Sequence, residues 1–379
     1  MNALSTSPNV LLLGDYSNCH RALATGLRGL GCDVTVASDG SRWMDCARDV
    51  DISRRRQSKA GGMLHYLNME RLLRGKLSGF DVVAVNDPMF TTLRPERLDR
   101  LFALLKRNNG GVFYTAMSTD LPYLDMLPAA DSPLRYSEWF IGGKPSRMYM
   151  NDSSQWDKWH NDALVSYQNR FFDEIDGAVS VLYEYHKGLE HRLGSERLAY
   201  GGIPIDMSQC LPVELPENPE CVRLFLGRDR NRMLMKGSDL LEEAARGAIA
   251  RHAGKAELVI VENRPYEEFT QLLRSAHVVL DQIYSYTPAT TALLAMAHGL
   301  NVVSGGEPEY YDFIDERDNC PIINAPIDVE PLTDVIEDII LHPELIRERG
   351  RRSRKFVEKH NDCRVVARRF LDFWLKRIK

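Results

Sequence analysis

The sequence predicts an α/β protein made of two halves, each built around a parallel β-sheet. Residues 277–309 read in order as a short strand, a turn, a helix, a glycine and a second strand, and residues 9–38 follow the same order. Such a strand–helix–strand unit joins parallel neighbours in a sheet. Between these units, residues 207–220 are rich in Pro and Glu and lack periodicity, which is typical of a linker. We therefore predict two domains, residues 1–206 and 207–361.

In the first half, short apolar runs predict strands, and a 3.6-residue period of apolar positions predicts helices. The predicted strands are 10–13, 33–38, 81–86, 111–116 and 176–182, and the predicted helices are 21–30 and 95–106. Residues 40–80 are polar, and residues 121–172 are rich in aromatic side chains with little clear periodicity. These aromatic residues either stack on sugars or an amphipathic acceptor, or pack the segment onto its own domain.

The second half alternates strands and helices in the same way. Its predicted strands are 222–226, 257–261, 277–280 and 302–303, and its predicted helices begin at Lys236-Gly237, near Tyr266, at 289, at 329 and at 343. Gly299 stands where a glycine would end the third of these helices. Ligands of such sheets bind at the carboxyl ends of the strands. Two polar clusters, 281–287 and 304–309, fall at such ends.

Composition places the chain among soluble globular proteins. It has 379 residues, with 44% hydrophobic and 27% charged side chains. No apolar run approaches the roughly 20 residues of a transmembrane helix, and the N-terminus lacks the features of a signal peptide. Seven cysteines include no C-x-x-C pair, so we expect reduced thiols and a cytoplasmic protein.

The charge of the chain is unevenly distributed. The net charge is −5, yet residues 347–379 hold thirteen Lys and Arg against four Asp and Glu, a net of +9 that leaves −14 for the remainder. A basic tail of this kind is either a solvated helix face or a surface for anionic membranes or nucleic acid. We keep an anionic membrane at the inner face as a candidate partner and expect no nucleic acid.

Two loops in the first half carry candidate acidic groups. Asp15 follows the first strand and either lies at a site or, like Ser17, caps the following helix. Asp120 follows the strand at 111–116 and is either a general base or the first residue of a helix or turn. Asp49-Val50-Asp51 has a form that holds a metal in some enzymes, but an Arg run follows it. We expect no metal there.

The stretch 277–309 resembles the donor site of GT-B glycosyltransferases, especially their retaining family 4. The matching residues are Ala295-Met296-Ala297, Gly299, Val302-Val303, Gly305-Gly306 and Glu309. The forms DQxYSYTP and GGEPE look like a bacterial subgroup found with surface-polysaccharide genes. The resemblance extends over most of the chain and implies a GT-B fold, with two Rossmann-like domains facing a cleft. It also implies that the last helix, 362–378, crosses back onto the first domain.

The resemblance implies a set of residues that hold a nucleotide-diphosphate sugar. Arg228 and Lys236-Gly237 match the family's diphosphate-binding element, although the spacing is longer, so that Arg230 or Arg232 could replace Arg228. A solvated basic loop is the alternative. The segment after the strand at 257–261 lines the nucleobase pocket in the family. The implied donor-binding residues are Gly14, Asp15, Gly227, Arg228, Arg232, Lys236, Gly237, Asn263, Asp281, Tyr284, Tyr286, Thr287, Gly305, Gly306, Glu307 and Glu309.

Two glutamates of the family pattern are missing, because Tyr286 and Leu294 stand at their positions. Leu294 has no atom that accepts a hydrogen bond from a ribose hydroxyl. The nearest acceptors in the sequence are Glu307 and Glu309, followed by Asp281. We expect one of these three to take over that contact.

The resemblance therefore predicts a metal-independent glycosyltransferase without a cofactor, acting in polysaccharide biosynthesis on a saccharide or lipid-linked acceptor. The predicted catalytic residues are Asp120, His20 and Lys236, and the acceptor is expected on the N-terminal side, near Asp15, His20 and Asp120. Two alternatives remain, since the motif glutamates are missing. One is a non-catalytic GT-B-like subunit that binds a partner, and the other is a nucleotide-sugar epimerase of the same fold.

Overall fold

A computed structural model describes residues 7–41 and 44–378, and the chain divides into two compact units. The first unit contains the chain up to residue 126, residues 154–204 and the chain from residue 363. The second contains residues 127–153 and 205–362. The predicted domains, residues 1–206 and 207–361, stay a prediction, because the division into compact units does not test which parts of the chain fold independently.

Among the described residues the strands are β1 (Asn9–Leu13), β2 (Asp33–Ser38), β3 (Val50–Asp51), β4 (Val82–Val85), β5 (Gly111–Ala116), β6 (Phe140–Ile141), β7 (Lys144–Pro145), β8 (Gly177–Ser180), β9 (Leu198–Tyr200), β10 (Val222–Gly227), β11 (Ala256–Val261), β12 (Val278–Leu280), β13 (Asn301–Ser304) and β14 (Ile323–Asn324). The helices are α1 (Cys19–Gly29), α2 (Lys59–Leu73), α3 (Pro95–Asn108), α4 (Leu121–Met126), α5 (Arg147–Asn151), α6 (Ser154–Trp159), α7 (Asp162–Glu174), α8 (Tyr183–Leu193), α9 (Met233–Lys236), α10 (Ser238–Arg251), α11 (Tyr266–Arg274), α12 (Thr290–Ala297), α13 (Pro308–Phe313), α14 (Val329–Leu341), α15 (Ile346–His360) and α16 (Cys363–Leu375).

The first unit is organised around a seven-stranded parallel sheet in the order β3-β2-β1-β4-β5-β8-β9. Val10, Leu11, Leu12 and Leu13 of β1 are all fully buried. A continuous apolar run buried on both faces is typical of a parallel strand that helices cover on each side. Helix α16 packs against α1 and buries Phe370 and other apolar side chains.

The second unit contains a five-stranded parallel sheet in the order β11-β10-β12-β13-β14. Helix α10 packs on α14, and α12 packs on α15. The fold-class prediction of two parallel-sheet α/β domains is therefore confirmed. Most predicted elements are also found within a few residues of their predicted ends.

Helix α2 is an element that the sequence did not reveal. Its buried face contains Met69, Leu72 and Leu73, while Leu64 and Leu67 lie on its exposed side. Because apolar side chains occupy both faces, the 3.6-residue period that identifies an amphipathic helix is weak.

Asp49 precedes the short edge strand β3, Asp51 ends it, and both have protein partners. Asp49 accepts hydrogen bonds from the Val36 amide and from Arg28. Asp51 accepts from the Ser53 amide and hydroxyl and pairs with Arg48. Among the described residues, no group of three or more His, Cys, Asp or Glu side chains is arranged to hold a metal ion. No described helix combines the length and apolar character needed to cross a bilayer.

Candidate functional site

The carboxyl ends of three neighbouring strands of the second unit bring predicted donor residues to one edge. Leu226 of β10 pairs with Leu280 of β12, which pairs with Val303 of β13. Gly227, Asp281 and the Ser304-Gly305 segment therefore lie side by side where these strands end. This edge is where ligands bind in open α/β sheets.

Lys236 and Asp281 form an ion pair at this edge. The distance between Lys236 Nζ and Asp281 Oδ1 is 2.9 Å, and the Asp281 side chain is 1% exposed. Asp281 Oδ2 is buried and has no hydrogen-bond partner among the described residues. An ammonium group has three hydrogens to donate, so one ion pair leaves Lys236 able to bind an additional acceptor.

Gly237 fixes the backbone next to this ion pair. Its φ of +66° lies in the left-handed region, and a Cβ at this position would stand 2.5 Å from the buried Ile283 Cδ1. The structure corrects the predicted helix start here, since Lys236 ends the short helix α9 and α10 begins at Ser238. Only glycine combines this φ with such a close approach.

The arginines of the loop after β10 differ in their partners. Arg228 pairs with both Glu242 and Glu262, and Arg230 pairs with Glu262 at 3.0 Å. Within the described part of the chain, Arg232 has no carboxylate partner and contacts only the Met235 sulfur, at 3.7 Å. Among these arginines, Arg232 is therefore the one whose charge is not neutralised by a carboxylate.

Residues 127–153, here called the strap, precede the second unit's sheet by about 70 residues but belong to that unit. The Arg135 guanidinium pairs with Glu307 and Glu309, and the Arg135 amide donates to Tyr286 Oη at 2.5 Å. The guanidinium also lies 5.5 Å from the centre of the Tyr286 ring. Arg147 pairs with Asp239 at 2.5 Å and hydrogen-bonds Tyr284.

Glu307 and Glu309 differ in how many of their carboxylate oxygens already accept a hydrogen bond. Glu307 accepts from Tyr136 at 2.5 Å, from Asn324 at 2.8 Å and from Arg135. Glu309 Oε1 accepts from Arg135, whereas its Oε2 is buried and has no partner among the described residues. Glu309 thus keeps one acceptor oxygen, and Glu307 has a structural role.

Gly305 and Gly306 are two of the implied donor-binding residues, and backbone N–H groups are what glycines offer a diphosphate. Gly306 N donates to Asn324 Oδ1 at 3.0 Å, and Glu307 N donates to the Tyr286 carbonyl at 3.2 Å. These two donors are therefore already used within the unit. Gly305 passes so close to the Ser285 carbonyl that a Cβ would overlap it.

The other predicted donor residues of this unit are Asn263 and Thr287. Asn263 follows β11, is exposed and has a left-handed φ of +50°. Thr287 is buried, and its carbonyl accepts from Ser285 Oγ at 3.0 Å. The nucleobase contact assigned to Asn263 stays a prediction.

In the first unit, Gly14 and Asp15 shape the turn between β1 and α1. Gly14 has a φ of +81°, and a Cβ there would overlap the Asn86 side chain. Asp15 accepts from the backbone amides of His20, at 3.0 Å, and Arg21, at 3.4 Å. Burial raises the pKa of Asp15 to about 6. The geometry is that of the helix-capping alternative, and it is Asp15, not Ser17, that accepts these amides.

His20 is fully buried, and both ring nitrogens have partners. Nδ1 donates to the Gly14 carbonyl at 2.7 Å, so Nε2 accepts from Thr115 Oγ1 at 3.0 Å. Burial lowers the pKa of His20 to about 4, which keeps the ring neutral at physiological pH. This arrangement favours a structural role over the predicted catalytic one.

Asp120 is also fully buried. Its Oδ1 accepts from the Tyr123 amide at 2.9 Å, and its Oδ2 accepts from Tyr114 at 3.0 Å. Burial raises the pKa of Asp120 to about 7. Asp120 thus stands as the N-terminal cap of α4, the structural alternative, although a pKa near neutrality also suits a general base.

The aromatic residues of 121–172 mainly pack within the protein. Trp139 is buried in the second unit, and Trp159 packs against the core of the first. Trp156 stacks on His160 with ring centres 4.5 Å apart. The packing alternative therefore accounts for these residues. Arg135, Arg147 and Tyr136 of the same region were not predicted as site residues, because no local motif links them to their partners, which are 92 residues away for Arg147 and more than 170 for the other two.

No protein-family model matches this sequence, and no curated protein matches it. Solved structures match the chain at 10–14% identity. Sucrose-phosphate synthase from Thermosynechococcus elongatus is 13% identical with a TM-score of 0.60, and 97% of this chain and 98% of that chain are covered. HepE from Anabaena, in complex with UDP and glucose, is 12% identical with a TM-score of 0.58 and coverages of 97% and 100%.

AviGT4, a glycosyltransferase involved in avilamycin A biosynthesis, is 14% identical to the chain, with a TM-score of 0.53 and coverages of 97% and 98%. Membership of family 4 and of its polysaccharide subgroup stays a prediction at this level of identity. Two parallel sheets of seven and five strands, matched over nearly the whole chain by these glycosyltransferases, identify the fold as GT-B.

Proposed function

We propose that this protein is a glycosyltransferase that moves a sugar from a nucleotide-diphosphate sugar to a saccharide or lipid-linked acceptor. The observation that carries the proposal is the Lys236–Asp281 ion pair at the carboxyl ends of β10 and β12. It places a cation where the fold binds ligands, beside the first turn of α10. The neighbours of known structure that were solved with UDP and glucose support a donor of this class.

In the proposed reaction, the bond between the sugar and the diphosphate breaks and negative charge grows on the leaving diphosphate. Lys236 donates hydrogen bonds to that charge, and Arg232 adds a second cation four residues earlier in the chain. The amide groups at the start of α10 stabilise the same charge. Arg228 keeps the loop in place through its two glutamates and is not part of this clamp.

Hydroxyl groups of the donor need acceptors in place of the missing motif glutamates. Asp281 Oδ2 and Glu309 Oε2 are buried acceptor oxygens without a partner among the described residues. Glu307 is excluded because its oxygens are taken by Tyr136, Asn324 and Arg135. We infer that Asp281 and Glu309 accept these hydroxyls, and that Arg135 positions Glu309.

Several parts of the proposal come from the sequence alone. The polysaccharide pathway and the lipid-linked acceptor follow from the resemblance, the cytoplasmic location from the cysteine content, and the absence of a metal requirement from the lack of a convincing metal-binding D-x-D motif. Asp120 remains the proposed base because it follows the carboxyl end of β5, on the side where the resemblance puts the acceptor, and burial raises its pKa to about 7.

The test is an assay for nucleoside diphosphate release. A panel of nucleotide sugars is first screened by the rise in Tm, and the donors that stabilise the protein are incubated with acceptor mixtures. We expect one donor class to bind and to release nucleoside diphosphate only when acceptor is present. Isomerisation of the donor sugar would identify an epimerase. Absence of binding by every nucleotide sugar would leave a non-catalytic partner-binding subunit.

A further inference from the structure

Helix α2 presents an apolar stripe to solvent. Met63, Leu64 and Leu67 are 48%, 61% and 51% exposed. Met63 and Leu64 are adjacent, and Leu67 follows them by four and three residues, so the three side chains lie on the same side of the helix. The opposite side buries Met69 and Leu73 in the core of the first unit. The stripe is therefore additional to the face that the fold needs.

Cations flank this stripe at both ends. Residues 54–76 contain seven Lys and Arg and one acidic residue, Glu70, a net charge of +6 in a chain whose total is −5. Arg55, Arg56 and Lys59 precede the stripe and are exposed. Glu70 pairs with Arg74, so the acidic residue is neutralised within the helix.

The neighbouring Arg54 has a different role. Its guanidinium donates to the carbonyls of Thr92, at 2.9 Å, and Ser58, at 3.1 Å, and so ties the basic loop to the start of α2. Ser58 caps the helix by accepting from the Gly61 amide. These bonds hold the exposed cations Arg55, Arg56 and Lys59 next to the apolar stripe.

We propose that the exposed surface formed by Arg55 and Arg56, which precede α2, and by Lys59, Met63, Leu64 and Leu67 of α2 binds the surface of an anionic membrane. Apolar side chains between cations are the pattern of a helix that lies in the lipid interface. The cations are attracted by anionic headgroups, and the leucines and methionine enter the acyl boundary. A nucleic acid would match the cations but leave the three apolar side chains in water.

The basic residues of α15 fit this role less well. Arg347 pairs with Glu214 and Glu217, and Lys359 pairs with Glu316. Arg354 donates to the carbonyl of Cys210 and pairs with Glu358. Several cations of residues 347–379 are thus paired with carboxylates of the same chain. Helix α15 therefore supplies the control substitutions in the experiment below.

The experiment is sedimentation of the full chain with vesicles of phosphatidylcholine, alone or mixed with phosphatidylglycerol. We expect binding to the anionic vesicles and little binding to the neutral ones. The triple variant R55Q/R56Q/K59Q should bind anionic vesicles on the order of 100-fold more weakly at low salt. The double variant L64Q/L67Q should lose roughly tenfold or more, at low and at high salt.

The matched control is R351Q/K355Q, which removes exposed charge from α15 and should bind as the wild type does. All substituted side chains are exposed, so the Tm of each variant should stay near that of the wild type. The variant L67C, labelled after Cys46, Cys221 and Cys320 have been replaced by Ser, should report an apolar environment only with anionic vesicles. Unchanged binding of both α2 variants, or no vesicle binding by the wild type, would overturn the proposal. Neither result depends on glycosyltransferase activity.

Discussion

Charged side chains of the candidate donor site differ in whether another protein group already holds them. Arg228 is held by two glutamates, whereas Lys236 has one carboxylate partner and Arg232 has none among the described residues. A charge that is already paired must break that pair before it binds a ligand. The unpaired and singly paired cations are therefore the better candidates for the diphosphate.

We expect K236A and R232A each to weaken nucleoside diphosphate binding about tenfold or more, because charge-assisted hydrogen bonds contribute about 1.5–3 kcal/mol. R228A should weaken it much less and should instead lower the Tm. Isothermal titration calorimetry measures the affinities, and K255A, on an exposed lysine before β11, is the control. Equal losses for R228A and R232A would contradict this assignment.

The two glutamates contacted by Arg135 give a second prediction. E309Q should reduce donor affinity several-fold with little change in Tm, since Glu309 keeps a buried oxygen without a partner. E307Q should lower the Tm because it weakens a buried carboxylate that accepts from Tyr136, Asn324 and Arg135. Donor titrations and thermal unfolding of both variants separate the two roles. The reverse pattern would assign the donor contact to Glu307.

Asp120 predicts a pH dependence of stability. Its pKa is about 7 in the folded protein against an ordinary 3.8, so the folded state retains the proton longer than the unfolded state. This contribution favours the folded state at low pH and is lost as the pH rises from about 4 to about 7. D120N does not ionise but can still accept from the Tyr123 amide. The Tm of D120N relative to wild type should therefore rise between about pH 5 and about pH 8.

Asp15 and His20 titrate in part of the same range but are common to both proteins, so the difference in Tm isolates Asp120. A Tm difference that stays constant with pH would mean that Asp120 is not the group whose pKa is raised.

At the scale of elements, the connection from α9 to α10 depends on one glycine. Gly237 joins the residue that carries the proposed diphosphate cation to the start of α10. Gly254 also has a left-handed φ, of +81°, but nothing lies within 4 Å of its would-be Cβ. The two glycines therefore share backbone conformation and differ in packing.

We expect G254A to lower the free energy of unfolding by about 1 kcal/mol through backbone strain alone. G237A should lose about 1–3 kcal/mol more, because its Cβ meets the buried Ile283. Urea unfolding of both variants measures these values. Equal losses would show that the contact with Ile283 relaxes at no cost.

The sequence predicted the strands and helices well and the long-range partners poorly. The apolar runs at 10–13 and 222–226 are local signals, and they became β1 and β10. Arg135 could not be identified in this way, because its partner Glu307 is 172 residues away and neither residue lies in a sequence motif that includes the other. The burial of acidic side chains could not be predicted either. An acidic residue after a strand looks the same in the sequence whether its carboxylate is exposed or, as for Asp120, buried.

At the scale of the whole molecule, the strap belongs to a different unit from the segments that flank it in the sequence. Residues 127–153 are preceded and followed by segments of the first unit but are packed within the second. Arg135 and Arg147 are its charged attachments, to Glu307 and Glu309 and to Asp239. Releasing these attachments should expose the strap's backbone.

We expect R135A to increase the rate of limited trypsin cleavage within the strap several-fold at Arg147, because the Lys144–Pro145 bond resists trypsin. The double variant R135A/R147A lacks that site, so its cleavage is followed with chymotrypsin, for example after Tyr149, and should be faster than that of R135A. Cleavage elsewhere, for example between α15 and α16, should be unchanged. Mass spectrometry of the first fragments identifies the sites. Cleavage of R135A at the wild-type rate would show that the buried Trp139 and Tyr136 hold the strap without the ion pairs.

The strap also has a consequence for the ancestry of the chain. A protein made of two lobes joined by a single linker can exchange one lobe for a relative's by recombination at that linker. Here such an exchange near residue 206 would separate Arg135 and Tyr136 from Glu307 and place them opposite a foreign sheet. The part of the gene that encodes the strap and the part that encodes residues 307–309 should therefore be inherited together. In an alignment of relatives, residue 135 should change in step with residues 307 and 309, and independent variation at these positions would count against that shared inheritance.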